Sequence, residues 1–280
     1  MINRTYLEIT NVCNMSCSFC HGTKRNPGFL DKTTFCYILD KLKGHTKYLY
    51  FHLMGEPLLH KDLGYFITYS KDKGFVPIIT TNGVLIKEKY NELLDNNPYK
   101  INISMHSFEA NRVNDYEEYL DNIIRLSKDI SEKGTLVNLR LWNDGGLNKN
   151  NELILNKLKE AFKSDYTKCI NGYKMRDNIY IDYGEKFDWP DLSKKEYDND
   201  MFCYALRDQI GILVDGSVVP CCLDSDGIMT LGNIKKEDLD DILNSKKAKD
   251  IYDYFSNHKA KEELCKHCGY INETKKYRNK

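Results

Sequence analysis

Tyr6-Leu7-Glu8-Ile9-Thr10-Asn11-Val12-Cys13-Asn14-Met15-Ser16-Cys17-Ser18-Phe19-Cys20 carries more information than any other part of this chain. Tyr6-Leu7-Glu8-Ile9 reads as a short strand that delivers the chain into a loop with three cysteines in eight residues. A protein-bound cubane iron–sulfur cluster usually takes four thiolates, one per iron. Three leave one iron open, and an open coordination position is where a metal does chemistry rather than holding a fold.

The same residues admit other readings. Cys17-Ser18-Phe19-Cys20-His21 spells C-x-x-C-H, the attachment motif of c-type haem. That chemistry requires export, and Met1 to Glu8 has no apolar segment of the signal-peptide kind. Zinc accepts sets of three cysteines and one histidine. Adjacent Cys20 and His21 reach a single tetrahedral ion awkwardly. Ten cysteines in 280 residues with no secretion signal point to metal or catalysis rather than to cross-links.

Forty-one basic residues balance forty-one acidic ones. A formal charge of zero argues against general binding to nucleic acid or an anionic membrane. The basic end, Lys275 to Lys280, is short and reads as a solvated tail. No apolar run approaches the roughly twenty residues that cross a bilayer. A cytoplasmic, reducing compartment is the expectation from the thiols and the missing signal.

Strands then alternate with helices. Asp31 caps a helix to about Leu42, with Phe35, Ile38, Leu39 and Leu42 at helical spacing. Tyr48 to Leu53 is a second strand broken by Gly55-Glu56-Pro57, and a helix from Lys61 to Lys73 stops at Gly74. Val76 to Thr81 and Lys100 to Met105 are the next strands, with a helix over Lys87 to Leu94 between them. A helix over Asn114 to Lys133, a fifth strand over Leu136 to Trp142, a helix over Glu152 to Phe162 and a sixth strand over Ile179 to Asp182 follow. Repeated strand–helix units of this length imply a parallel α/β sheet with right-handed crossovers. Six of them suit a partial (β/α)6 TIM-like barrel over residues 1–190, whose chemistry gathers on loops at the C-terminal strand ends. Residues 191–280 form a small cysteine-rich domain.

The spacing C-x3-C-x2-C, with aromatic Phe19 before the last cysteine, resembles the signature of the radical S-adenosylmethionine (SAM) superfamily. The resemblance implies a [4Fe-4S] cluster on Cys13, Cys17 and Cys20, with SAM chelating the open iron, and a partial barrel as the core fold. Met54-Gly55-Glu56-Pro57 occupies the place of the family's Gly-Gly-Glu element, which binds the SAM amino group, with Met54 in place of the first glycine. By the same resemblance Asn82 after strand three and Ser104 after strand four face the cofactor. Arg140 on strand five suits the SAM carboxylate, since guanidinium binds carboxylates bidentately. His106 and Arg140 are weak candidates for catalysis. An ordinary structural hydrogen bond is an equal reading for Asn82 and Arg140, and the stronger one for His106.

Cys203, then Gly216 and Cys221 in the pattern G-x4-C, then Cys265-Lys266-His267-Cys268, resembles the SPASM/twitch extension of many such enzymes. Asp215-Gly216 signals a hairpin that brings Cys203 to Cys221. Four thiolates suffice for one fully ligated [4Fe-4S] cluster, so the shorter twitch form fits. Taken alone, zinc fits this set as well as a cluster. Cys222 competes with Cys221, and the G-x4-C spacing selects Cys221. Cys36 and Cys169 have no partner by spacing, and buried apolar packing is the expectation for both.

The resemblance implies reductive cleavage of SAM to a 5′-deoxyadenosyl radical that takes a hydrogen atom from a small-molecule or peptide substrate. The auxiliary cluster then assists a net oxidation or modification, and a flavodoxin- or ferredoxin-type donor supplies the electron. A non-enzymatic zinc- or cluster-bearing binding module is the alternative.

Overall fold

Asp31 caps the first helix as the sequence requires, its Oδ1 accepting the Thr34 N–H at 2.9 Å. The computed structural model describes residues 2–111, 116–163, 166–186, 188–197 and 201–270. These pack as two units, Met1–Val12 with His21–Gly55 and Phe187–Lys280, and Cys13–Cys20 with Glu56–Lys186.

The first unit opens with β1 (Arg4–Leu7), α1 (Lys32–Leu42) and β2 (Tyr48–Tyr50). β1 and β2 run parallel, Thr5 opposite Leu49. α1 buries Phe35, Ile38, Leu39 and Leu42, the predicted stripe. β1 ends at Leu7 rather than Ile9, because Ile9 and Thr10 turn to pair with Leu30 and Phe29. Glu8 is fully buried there. Its carboxylate accepts the Arg25 guanidinium at 2.7 Å and the Met54 and Val214 amides at 3.2 and 3.0 Å. A buried charge is tolerable only with such partners.

The second unit includes the cysteine loop and a single turn at Pro57–Leu59. Its elements are α2 (Leu63–Asp72), β3 (Val76–Thr81), α3 (Ile86–Asp95), β4 (Lys100–Ser104), α4 (His106–Ala110), α5 (Tyr116–Glu132), β5 (Leu136–Asp144), α6 (Asn151–Phe162), β6 (Thr167–Cys169), β7 (Gly172–Arg176) and β8 (Ile179–Glu185). Asn114, the expected start of the long helix, lies outside the described residues. α5 buries Tyr119, Leu120, Ile123, Leu126 and Ile130.

β3, β4, β5 and β8 are parallel neighbours. Their register sorts side chains into rows, because successive residues of a strand face opposite sides. Ile101, Val137 and Ile179 share one row and Ile103, Leu139 and Ile181 another, all buried. On the opposite face lie Asn102, Asn138 and Tyr180, then Ser104, Arg140 and Asp182. One face is apolar core, and the other is polar.

The β6–β7 hairpin, antiparallel on the edge of β8, is absent from the predicted order. Its first strand is wholly exposed and held by ladder hydrogen bonds, so it leaves no apolar signature. Cys169 sits on it and is exposed, which corrects the expectation of burial, while Cys36 is partly buried.

The chain then returns to the first unit with β9 (Gln209–Ile212), β10 (Ser217–Val219), β11 (Gly232–Asn233), α7 (Leu239–Asn244), α8 (Lys246–Ser256) and α9 (Glu263–Lys266). The predicted hairpin at Asp215-Gly216 is present, with Gly216 at φ 91° and β9 antiparallel to β10. β9 also pairs in parallel with β1, Tyr6 opposite Gly211. Among the described residues no helix is long and apolar enough to cross a membrane.

Candidate functional site

The cysteine loop is held by side-chain amides. Cys20 N–H donates to the Cys17 carbonyl at 2.9 Å, tightening the turn that ends the run. Asn111, which caps the end of α4, accepts the Ser16 N–H on Oδ1 at 2.7 Å. Its Nδ2 donates to Cys17 Sγ at 2.9 Å and to the Ser107 carbonyl at 2.7 Å. Asn82 Nδ2 donates to Asn14 Oδ1 at 2.8 Å and lies 3.9 Å from Cys13 Sγ. Burial pushes the Cys13 and Cys17 thiols up, and the hydrogen bond from Asn111 pulls Cys17 part of the way back.

Asn82 is a hub. Its N–H donates to Glu56 Oε2 at 2.8 Å, its Oδ1 accepts the Val84 N–H, and its carbonyl accepts the Tyr119 hydroxyl at 2.8 Å. Glu56 is 1% exposed, and its Oε1 accepts the Leu58 N–H at 2.9 Å. Burial raises the carboxyl to about 7 against those hydrogen bonds. Glu56 is therefore turned into the protein, tying the turn after β2 to the end of β3. Gly55 has φ 78°, and a Cβ there would stand 2.4 Å from the Thr10 carbonyl oxygen. Only glycine fits against the backbone that leads into the cysteine loop.

On the polar face of the sheet the Arg140 guanidinium lies 4.3 Å from the centre of the Trp142 ring, a cation–π pair. Trp142 Nε1 donates to Asp182 Oδ2 at 3.1 Å, and Asn138 Nδ2 approaches the same oxygen at 3.4 Å. A Cβ on Gly184 would meet the indole at 2.8 Å, so the glycine makes room for that ring. Ser104 sits at the end of β4 in register with Arg140. His106 is buried at the start of α4, its Nδ1 3.1 Å from the Arg140 carbonyl oxygen and 5.0 Å ring to ring from Phe19. Burial lowers His106 to about 4, which leaves it neutral at physiological pH and a poor base. A cavity of about 40 Å³ opens beside the cysteine loop, lined by Phe19, His106, Trp142, Asn143, Leu147 and Lys186 among others.

The second cysteine set gathers in the first unit. Cys203, Cys221 and Cys265 share an apolar cluster with Met201, Met229 and Phe255. Burial holds the Cys221 thiol far up, and Cys222, Cys203, Cys265 and Cys268 add to the shift, so all of these sulfurs lie within electrostatic reach of it. Burial also raises Cys268, to about 12. Cys222 packs against Leu53, Met54 and Val219 with Tyr6, whose hydroxyl it meets in a hydrogen bond.

Residues 7–154 match the family model of the radical SAM superfamily, and residues 203–269 match that of the SPASM iron-sulfur cluster-binding domain. The chain belongs to the radical SAM superfamily. A probable GTP 3′,8-cyclase of Sulfolobus acidocaldarius is 25% identical over 82% of this chain and 84% of its own length. The S-adenosyl-L-methionine-dependent 2-deoxy-scyllo-inosamine dehydrogenase of Niallia circulans is 22% identical over 95% and 92%. Among solved structures, BtrN in complex with AdoMet and 2-DOIA aligns at TM-score 0.63 with 18% identity, covering 96% of this chain and 93% of that one. The anSMEcpe enzyme with bound AdoMet and Cp18Cys peptide aligns at 0.63 with 16% identity, covering 98% and 88%. These likenesses show the fold, an α/β partial barrel with a C-terminal cysteine-rich region, and the family makes the protein an enzyme. A non-enzymatic binding module is set aside on that ground.

Membership implies SAM and a [4Fe-4S] cluster, and the SPASM match implies further iron–sulfur ligation. The residues fit. Three soft thiols share one loop, and amide N–H donors approach two of the sulfurs, Cys17 at 2.9 Å and Cys13 at 3.9 Å, as suits ligands of a negatively charged cluster. Sequence reasoning missed Asn14, Asn111, Trp142 and Asp182. The alternation of Lys100, Asn102 and Ser104 with buried isoleucines was the available signal for the polar face.

Proposed function

We propose that this protein binds one [4Fe-4S] cluster on Cys13, Cys17 and Cys20 and a second on Cys203, Cys221, Cys265 and Cys268, and oxidises a small polar molecule. Bound there, the clusters and SAM supply the 5′-deoxyadenosyl radical that takes a hydrogen atom and the acceptor for the remaining electron. The chain's residues do the rest. The Gly55-Glu56 backbone and the turn at Asn82 receive the SAM amino group, Ser104 takes the ribose, and Arg140, steadied on Trp142, pairs with the carboxylate. Asp182, oriented by Trp142 and Asn138, takes the proton that the substrate hydroxyl must lose for a net two-electron oxidation. His106, neutral and bonded to the backbone of β5, packs against Phe19 and helps exclude water.

The polar rows on β4, β5 and β8 carry this reading. A strand face bearing Asn102, Asn138, Arg140 and Asp182 suits a ligand rich in hydrogen-bonding groups, because it offers such a ligand donors and acceptors side by side, with Arg140 and Asp182 only half-buried. The matched length of the dehydrogenase relative supports the same class. A flavodoxin- or ferredoxin-type protein in the cytoplasm serves as electron donor.

The test is anaerobic. The reconstituted chain should hold roughly eight irons, as two cubanes require. With SAM and dithionite it should release 5′-deoxyadenosine and methionine, and a panel of deuterated polyols, aminocyclitols and nucleotides should include one that passes deuterium into the 5′-deoxyadenosine. Zinc in place of iron, or no 5′-deoxyadenosine, sinks the proposal. Deuterium transfer from peptides alone would replace the small substrate by a peptide.

A further inference from the structure

Asn111 uses every hydrogen-bonding group of its side chain on the cysteine loop and its support. A primary amide offers two N–H donors and one carbonyl acceptor. Oδ1 takes the Ser16 N–H, one Nδ2 hydrogen goes to the Ser107 carbonyl, and the other goes to Cys17 Sγ. The amide orientation is dictated by these partners. Turning it over would set an N–H against the Ser16 N–H and oxygen against the Ser107 carbonyl, so the donor must face the sulfur. Asn82 stands in a looser version of this relation to Cys13, with 3.9 Å between Nδ2 and Sγ.

We infer that Asn111 is a positioning and tuning residue for the first cluster: it fixes Cys17 and raises the reduction potential of the cluster that Cys17 helps to hold. The inference rests on the cluster assignment proposed above. A donor aimed at a ligating sulfur stabilises the extra negative charge of the reduced state more than the oxidised state, and hydrogen bonds to cluster sulfurs are among the determinants of potential. Without that bond the cluster is harder to reduce. The Ser16 contact does separate work, holding the loop between Cys13 and Cys17 in place.

The experiment uses the full chain, anaerobically reconstituted, and follows the SAM-responsive electron paramagnetic resonance signal through a redox titration, with iron measured in parallel. Asn111→Leu removes all three contacts without adding charge, and Asn111→Asp keeps an acceptor for Ser16 while removing both donors. Both variants should load iron as the parent does, and the midpoint should fall in Asn111→Leu and fall further in Asn111→Asp. A midpoint unmoved in Asn111→Leu overturns the tuning role, including the case in which Asn111→Asp alone shifts through its charge. Loss of iron in both variants also overturns it, reducing Asn111 to an assembly residue. Failure of the parent chain itself to show a SAM-responsive signal speaks against the cluster assignment and not against Asn111.

Discussion

The Glu56 carboxylate accepts the backbone N–H of Asn82 at 2.8 Å from within a site that is almost fully buried. This one bond ties the turn after β2 to the turn after β3, and Asn82 in turn meets the cysteine loop through Asn14. Burial sets the Glu56 carboxyl at about 7, above its ordinary 4.5. The folded protein therefore holds that proton more tightly than the unfolded chain does. Its contribution to stability is present below about 4.5 and is lost as pH rises to about 7. The size is on the order of 3 kcal/mol. Glu56→Gln does not titrate and leaves one amide without its oxygen, which costs about 1–3 kcal/mol. Urea unfolding at pH 5 and pH 8 should show the variant less stable at pH 5 and the gap narrowing or reversing at pH 8. A gap independent of pH would contradict the raised carboxyl.

Gly55 and Gly22 separate backbone conformation from close approach. Both have positive φ, 78° and 71°, but a Cβ on Gly22 meets nothing within 4 Å, whereas on Gly55 it strikes the Thr10 carbonyl. Gly22→Ala should cost the conformational penalty alone, about 1–2 kcal/mol. Gly55→Ala should cost more in chemical denaturation, and it alone should reduce iron loading, since Thr10 and Asn11 must move to relieve the contact. Equal losses in the two variants would mean that the approach of Gly55 to the loop is immaterial.

Much of this was readable from the sequence, for identifiable reasons. α1 and α5 carried apolar stripes at helical spacing, and tertiary packing used those same faces. The cysteine runs were legible because ligand spacing is local. The break after β2 at Glu56 was legible, yet its carboxylate direction was not, since burial against the Asn82 and Leu58 amides depends on how two loops meet. Asn111 was invisible for the same reason: ninety-four residues separate it from Cys17. The β6–β7 hairpin left no pattern because exposed edge strands have no apolar face to display.

Cys221 and Cys222 are neighbours in sequence with different packing partners. Cys221 lies in the cluster with Cys203 and Cys265, and Cys222 lies with Tyr6, Leu53 and Met54. Cys221→Ala should drop the iron content from roughly eight to roughly four per chain, leaving the SAM-responsive cluster. Cys222→Ala should leave iron unchanged and lose the packing of one small, partly buried side chain and its hydrogen bond with Tyr6, about 1–2 kcal/mol. The reverse pattern of iron loss would make Cys222 the ligand.

Trp142 joins two charges of the polar face, holding the Arg140 guanidinium on its ring and Asp182 on its Nε1. Asp182→Asn preserves shape and an acceptor for the indole, so folding, iron and SAM binding should stay near the parent values. What it removes is the proton acceptor. Substrate oxidation should fall by at least about a hundredfold, the ordinary worth of a positioned base. SAM cleavage in the absence of substrate should persist, because nothing in that step draws on Asp182. The measurement is the ratio of oxidised product to 5′-deoxyadenosine in one anaerobic reaction. A ratio that collapses identifies Asp182 with the proton-transfer step, and a ratio held at the parent value assigns that step to another group on the face.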